Sequence, residues 1–252
     1  MKLFLSPAKR LNENQNNFNA TLTQPIFLNE AADIMQNLKK KSPKSLQSLQ
    51  KISTELATLN YERNHNWTDK PNQENVFPAA WLFDGEVYRG LREEELTKNQ
   101  IEYLQKNMII LSGLYGALRV TDAIMPYRLE MGTDLKINKK KNLYEFWSKK
   151  ITDFVNEQIE EDEILLDLSS KEYISVLDKK SINGKWIDVK FQDFHKGKLK
   201  QITVYFKLAR GKMAYFCAAN QVETIDELKT FNEMGYVYDD NLSTEKTLIF
   251  TR

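Results

Sequence analysis

The densest chemistry-bearing segment of this chain is Leu111-Ser112-Gly113-Leu114-Tyr115-Gly116-Ala117-Leu118-Arg119. It closes an apolar run, Met108-Ile109-Ile110-Leu111, that reads as a strand, and glycines after a strand let a ligand approach the backbone. The segment is neither a GxGxxG fingerprint nor a Walker A loop, which ends in Gly-Lys-Ser/Thr. The same residues also suit a turn around a packed tyrosine. Farther along, Arg128 and Glu130 stand two apart, so in an extended segment they face one side. They could hold an anionic or nucleobase-like ligand. Spacing alone favours a structural ion pair.

At the N-terminus, Ser6, Lys9 and Arg10 lie just past a short first strand. In α/β folds the carboxyl ends of such strands border the ligand crevice. Ser6-x-x-Lys9 has the spelling of the Ser-x-x-Lys acylating motif, but the companion Ser-Asp-Asn and Lys-Thr-Gly words are absent, so that chemistry is rejected. Lys39, Lys40, Lys41 and Lys44 surround a turn between two predicted helices, where N-terminal amides can meet a phosphate. A solvated turn is the plainer alternative. Lys207, Arg210 and Lys212 form a second basic group, suited to phosphate contacts or to a solvated face. His65 and His195 read as surface residues and Cys217 as a core residue. No catalytic triad or metal constellation emerges, and no cofactor is expected.

These residues need elements to position them. Lys2–Leu5 is suited to a first strand, and 28–63 read as consecutive helices, one starting at Ser42-Pro43. Asn12 to Asn19 is an asparagine-rich loop. Thr97 caps a helix carrying Ile101 and Leu104, and Asn142 caps a long one through Phe146, Ile151 and Val155. Residues 163–168 are a second buried strand, and Ser170 to Leu177 a further helix. Alternation between Trp186 and Phe206 predicts a hairpin turning at His195-Lys196-Gly197. A helix from about Lys207 to Asn220 follows, then a short one over 224–233. Tyr236–Tyr238 and Thr247–Phe250 finish as strands. Helices interleaved with strands give an α/β or α+β class.

Composition bounds the rest. The 252 residues hold 36 Lys and Arg against 35 Asp and Glu, so bulk charge does not announce nucleic acid, and any such site must be a local patch. With no linker or repeat visible, residues 1–252 are expected to form one mixed domain. The single cysteine and the short apolar run before Ser6-Pro7 point to a reducing, cytoplasmic setting without a leader. No stretch approaches the roughly 20 apolar residues of a membrane span, so no membrane partner is expected.

Taken together, several words resemble the YaaA family, the bacterial peroxide stress proteins. They are Ser6-Pro7-Ala8-Lys9, Phe83 through Leu91, Leu111 through Arg119, Pro126 through Gly132, Asn142 through Trp147, Ala209 through Ala214, Phe231 through Tyr238 and Phe250-Thr251-Arg252. The resemblance runs through essentially the whole chain in order. It implies a cytosolic protein that limits free iron and Fenton damage to DNA. It further implies an α/β fold with a positively charged cleft and a helix–hairpin–helix element that bind double-stranded or branched DNA without reading sequence. On this chain the element maps to residues 34–53, with Lys39, Lys40, Lys41 and Lys44 at its hairpin. The cleft maps to Ser6, Lys9, Arg119, Arg128 and Arg210, with Arg10 and Lys207 as further DNA contacts. Dense polar words of this kind also resemble an enclosed small-molecule pocket. The alternative is an enzyme acting on a nucleotide or nucleoside, with Ser6 lining the pocket, Lys9 and Arg128 holding an anionic group, Tyr115 stacking or donating, and Glu130 as general acid/base.

Overall fold

A computed structural model describes residues 1–14 and 21–252; most of the asparagine-rich stretch 12–19 lies outside the described residues. The fold is built on one mixed sheet of eight strands with helices around it. The strands are β1 (Lys2–Leu5), β2 (Met108–Ser112), β3 (Gly116–Leu118), β4 (Ile164–Asp167), β5 (Lys185–His195), β6 (Lys198–Lys200), β7 (Val237–Tyr238) and β8 (Thr247–Thr251). Their order is β7-β8-β5-β4-β1-β2-β3, with β6 hairpinned onto β5. β1 runs parallel to β2 and β4, and the parallel set continues through β5 to β8. β3, β6 and β7 are antiparallel to their neighbours. Every residue of β1 and β2 is buried, which is why both read as unbroken apolar runs.

The connections create a crevice. From β1 the chain passes to β2 on one side, then returns to β4 on the other side and moves on to β5. Chains leaving β1 and β4 in opposite directions open a space beyond their carboxyl ends, the usual ligand position in such sheets.

The helices that border the site are α1 (Leu28–Lys39), α2 (Pro43–Gln50), α3 (Thr54–Asn66), α4 (Glu86–Leu91), α5 (Lys98–Asn107), α6 (Leu143–Gln158) and α7 (Thr203–Asn220). Local chemistry starts several of them. Ser42 accepts from the Ser45 amide with Pro43 in the first turn, Thr97 and Gln100 form a reciprocal capping box, and Asn142 accepts from the Glu145 amide. The β5–β6 hairpin turns at Lys196-Gly197, both left-handed at φ 50° and 76°, as a two-residue turn requires.

Two expectations shift. α7 starts at Thr203 rather than near Lys207, because β6 ends by Lys200. The helix expected over Ser170 to Leu177 is only Lys171–Ile174, since the amides of Val176 and Leu177 close tight turns onto Tyr173 and Ile174. α4 was not anticipated, because Gly90 within it weakens any local helical signal. That glycine is explained by packing. A Cβ at Gly90 would stand 2.2 Å from the Leu208 carbonyl oxygen, and one at Gly211 1.7 Å from the Val87 oxygen. α4 and α7 therefore cross backbone against backbone.

Candidate functional site

A cleft of about 580 Å³ occupies the crevice beyond β1 and β4. Ser6, the first residue after β1, ties its floor together. Its hydroxyl accepts from the Ser170 amide at 2.8 Å and donates to the Ser170 hydroxyl at 3.2 Å. The Tyr88 hydroxyl donates to the Ser6 carbonyl at 3.0 Å, bringing α4 to the same point. One wall is α4 with Asp84, Glu86 and Arg89; the facing wall is α7 with Lys207 and Arg210. The glycine crossing of α4 and α7 sets the distance between these walls.

Arg210 is the distinctive group. Its guanidinium is half-buried, stacks over the Phe206 ring at 5.0 Å, and makes no hydrogen bond or ion pair with the described residues. Burial lowers its affinity for the proton, opposed only by the field of Asp167. A guanidinium does not deprotonate in a protein, so a half-buried positive charge stays in this wall of the cleft. Lys207 is exposed beside it and has no carboxylate partner among the described residues. The other cations of the cleft are partly neutralised. Arg10 pairs with Asp84 at 2.6 Å, and Arg89 with Glu86 at 2.7 Å and Asp84 at 3.9 Å. Close by, burial pushes the Glu93 carboxyl up to about 7, with the charges of Glu94 and Asp84 adding to the effect.

The residues expected from sequence divide into three groups. Lys9 lines the cleft and lies 3.9 Å from Glu130, which accepts from Arg128 Nε at 3.1 Å. Arg128 and Glu130 are thus an ion pair outside the cleft lining, joined to it through Lys9. Gly113 serves their segment and leaves no room for a ligand: a Cβ there would lie 2.2 Å from the Leu129 oxygen. Tyr115 is buried and borders a different cavity with Pro25, Asp69 and Met125. Its hydroxyl accepts from Trp67 Nε1 at 2.8 Å and from the Met125 amide at 3.2 Å, and burial pushes its phenol up to about 12.

Arg119 does not join the cleft. β3 is antiparallel to β2 and returns the chain to the amino end of the sheet, so Arg119 lies at the opposite end from Ser6. There it pairs with Asp122 at 3.0 Å, donates to the Gln24 carbonyl, and borders a separate cavity with Lys2 and Lys106. Of Ser6, Lys9, Arg119, Arg128 and Arg210, the crevice is lined by Ser6, Lys9 and Arg210, Arg128 connects to it through Glu130 and Lys9, and Arg119 borders the separate cavity.

The lysine turn is a third place. Lys39 donates to the Trp67 carbonyl at 2.8 Å, so it ties α1 to the end of α3. Lys40 and Lys44 are exposed, Lys41 half-exposed, and none of the three has a carboxylate partner among the described residues. α2 packs chiefly on α3. Its far end meets the Arg128–Glu130 segment, where Gln50 Nε2 donates to the Arg128 carbonyl at 2.7 Å. The helix spans roughly 12 Å between these points.

Comparison with known proteins gives a consistent result. Residues 1–242 match the family model described as peroxide stress protein YaaA. The whole chain is 42% identical to a UPF0246 protein of Flavobacterium psychrophilum, aligned over the full length of both. It is 43% identical to a UPF0246 protein of a Psychrobacter species, covering 98% of that protein, and 41% identical to one of a Marinomonas species, covering 97%.

Proposed function

The chain belongs to the peroxide stress protein YaaA family, and from that premise we propose that it serves the peroxide stress response by binding DNA through phosphate. The cleft takes one phosphate group, and the lysine turn between α1 and α2, in the manner of a helix–hairpin–helix, supplies a second backbone contact. The observation that carries this reading is Arg210: a half-buried guanidinium without a carboxylate partner among the described residues, beside exposed Lys207 at the switch point of the sheet. Phosphate contacts of this kind position a protein on DNA without reading sequence. A protein that neutralises phosphates displaces the counterions held there. Ferrous iron condensed on DNA is displaced with the rest, which links binding to less Fenton damage.

The test is duplex binding across a salt series. Arg210→Ala is expected to weaken affinity roughly tenfold or more, the worth of a charge-assisted hydrogen bond. Lys40→Ala with Lys44→Ala weakens binding equally for all sequences and flattens the salt dependence by about two phosphate contacts. Unchanged affinity in both variants overturns the reading.

A second reading is favoured by the cleft's size, which lies within the range of pockets that enclose small ligands. Here the protein is an enzyme on a nucleotide or nucleoside, with Lys9 and Arg128 holding the anionic group and Glu130 as general acid/base; Tyr115, expected to stack or donate, borders a different cavity with Pro25, Asp69 and Met125 and takes no part. Turnover of some member of a nucleotide panel, abolished by Glu130→Gln, is the expected signature; a panel with neither binding nor turnover removes it.

A further inference from the structure

Every carboxylate that lines the cleft is engaged, and two of its cations are not. Asp84 is held by Arg10 and Arg89, and Glu86 by Arg89. Glu172 accepts from the Gly132 amide at 3.0 Å. Asp167, whose field reaches Arg210, accepts from the Ser169 amide and hydroxyl at 3.0 and 2.8 Å and pairs with Lys179 at 3.1 Å. Lys9 has Glu130 at 3.9 Å. Arg210 and Lys207 are left, three residues apart and so neighbours on one face of α7. On the floor, the Ser170 hydroxyl accepts from Ser6 and donates to none of the described residues.

These three groups match one class of phosphate. A phosphodiester carries a single negative charge and two free oxygens. A phosphomonoester carries close to two charges at neutral pH and has three free oxygens. Arg210 and Lys207 supply two positive charges. The guanidinium fork suits two of the oxygens, and the ammonium and the Ser170 hydroxyl remain for the third. The walls point the same way. α4 and α7 touch backbone to backbone at Gly90 and Gly211, so the space between them is closed at the crossing. A continuous strand drawn along the cleft would carry further diesters past Asp84 and Glu86 on the α4 wall. A strand end brings one phosphate and stops.

We propose that Arg210, Lys207 and Ser170 form a phosphomonoester site, which takes the terminal phosphate of a DNA strand or of a free nucleotide in preference to an internal diester. The site rests on the reading of the cleft as a phosphate site and narrows it to one kind of phosphate.

The experiment is fluorescence anisotropy on the full chain with internally labelled duplexes of one sequence. Their ends are 5′-phosphate, 3′-phosphate or hydroxyl only, and a fourth is closed as a dumbbell. Thymidine 5′- and 3′-monophosphate are the competitors. One of the phosphorylated duplexes is expected to bind roughly tenfold more tightly than the hydroxyl-ended duplex or the dumbbell, the worth of hydrogen bonds to a charged group. Arg210→Ala abolishes that preference, and Arg210→Lys, which keeps the charge without the fork, restores only part of it. Lys207→Ala, an exposed position, reduces it without risk to the fold. Lys139→Ala with Lys140→Ala controls for loss of charge alone, and thermal melting of each variant confirms folding. Competition by either nucleotide supports the site and assigns it to free nucleotides; an end preference that neither nucleotide disturbs supports it and assigns it to strand ends. Equal affinity for all four duplexes with no competition by either nucleotide overturns the proposal. If Arg210→Ala then weakens all four alike, the cleft keeps its phosphate reading; if it changes none of them, both readings fall.

Discussion

A half-buried charge with no partner costs stability unless an anion comes to it, and Arg210 is such a charge. Glu93 is its counterpart of opposite sign. Its carboxyl ionises near 7 in the folded protein against an ordinary value of 4.5. The unfolded chain therefore releases this proton first as pH rises. Stability falls between about 4.5 and about 7, and no further above that. Glu93→Gln removes the effect. It is expected to raise the melting temperature at pH 8 and to leave it unchanged below pH 4.5, with urea midpoints across that range as the check; a constant difference at every pH refutes the assignment. Neither group was fully legible in the sequence. Arg210 was singled out as a phosphate contact from its residue type, but its lack of a partner depends on which carboxylates the fold sends elsewhere. Glu93 lay within an acidic run that reads only as solvated surface. Tyr115 shows the opposite failure, since a tyrosine in a glycine-rich turn suits a ligand as well as it suits the core that holds it.

Among elements, the α4–α7 crossing is the feature on which the cleft depends. Both walls belong to helices that touch through glycine, so their separation is set by backbone contact. Gly211→Ala places a methyl group against the Val87 carbonyl, and the helices must part. The expected cost is about 1–3 kcal/mol of stability, with duplex affinity falling alongside because Arg210 moves with its helix. Retained stability together with normal binding would show that the walls are not coupled through this contact. Elements fixed by local chemistry were readable in advance. Ser42-Pro43, Thr97 and Asn142 start their helices by hydrogen bonds to amides three residues on, and Lys196-Gly197 turns its hairpin by backbone preference alone. α4 was not readable, because what stabilises it lies more than a hundred residues away on α7. Arg119 was misplaced for a related reason: the antiparallel pairing of β3 decides which end of the sheet it reaches.

At the scale of the molecule, 36 positive and 35 negative side chains say little until their positions are known. Acids gather at Glu93-Glu94-Glu95 and at 160–163, whereas the stretch from Phe194 to Val222 has none, so near-neutrality conceals a polarised surface. The order of the strands has a different consequence, for the birth of the protein. β1 is an interior strand made first, and Leu3 pairs with Met108 on one side and Leu166 on the other. At synthesis rates of roughly 5–20 residues per second, the ribosome needs on the order of 10 s after making β1 to deliver its second neighbour. Until then one edge of β1, a strand whose four residues are all buried in the folded protein, has no partner. Nascent chains are then open to chaperones and to one another, and the middle of the sheet closes only when most of the polypeptide has been made.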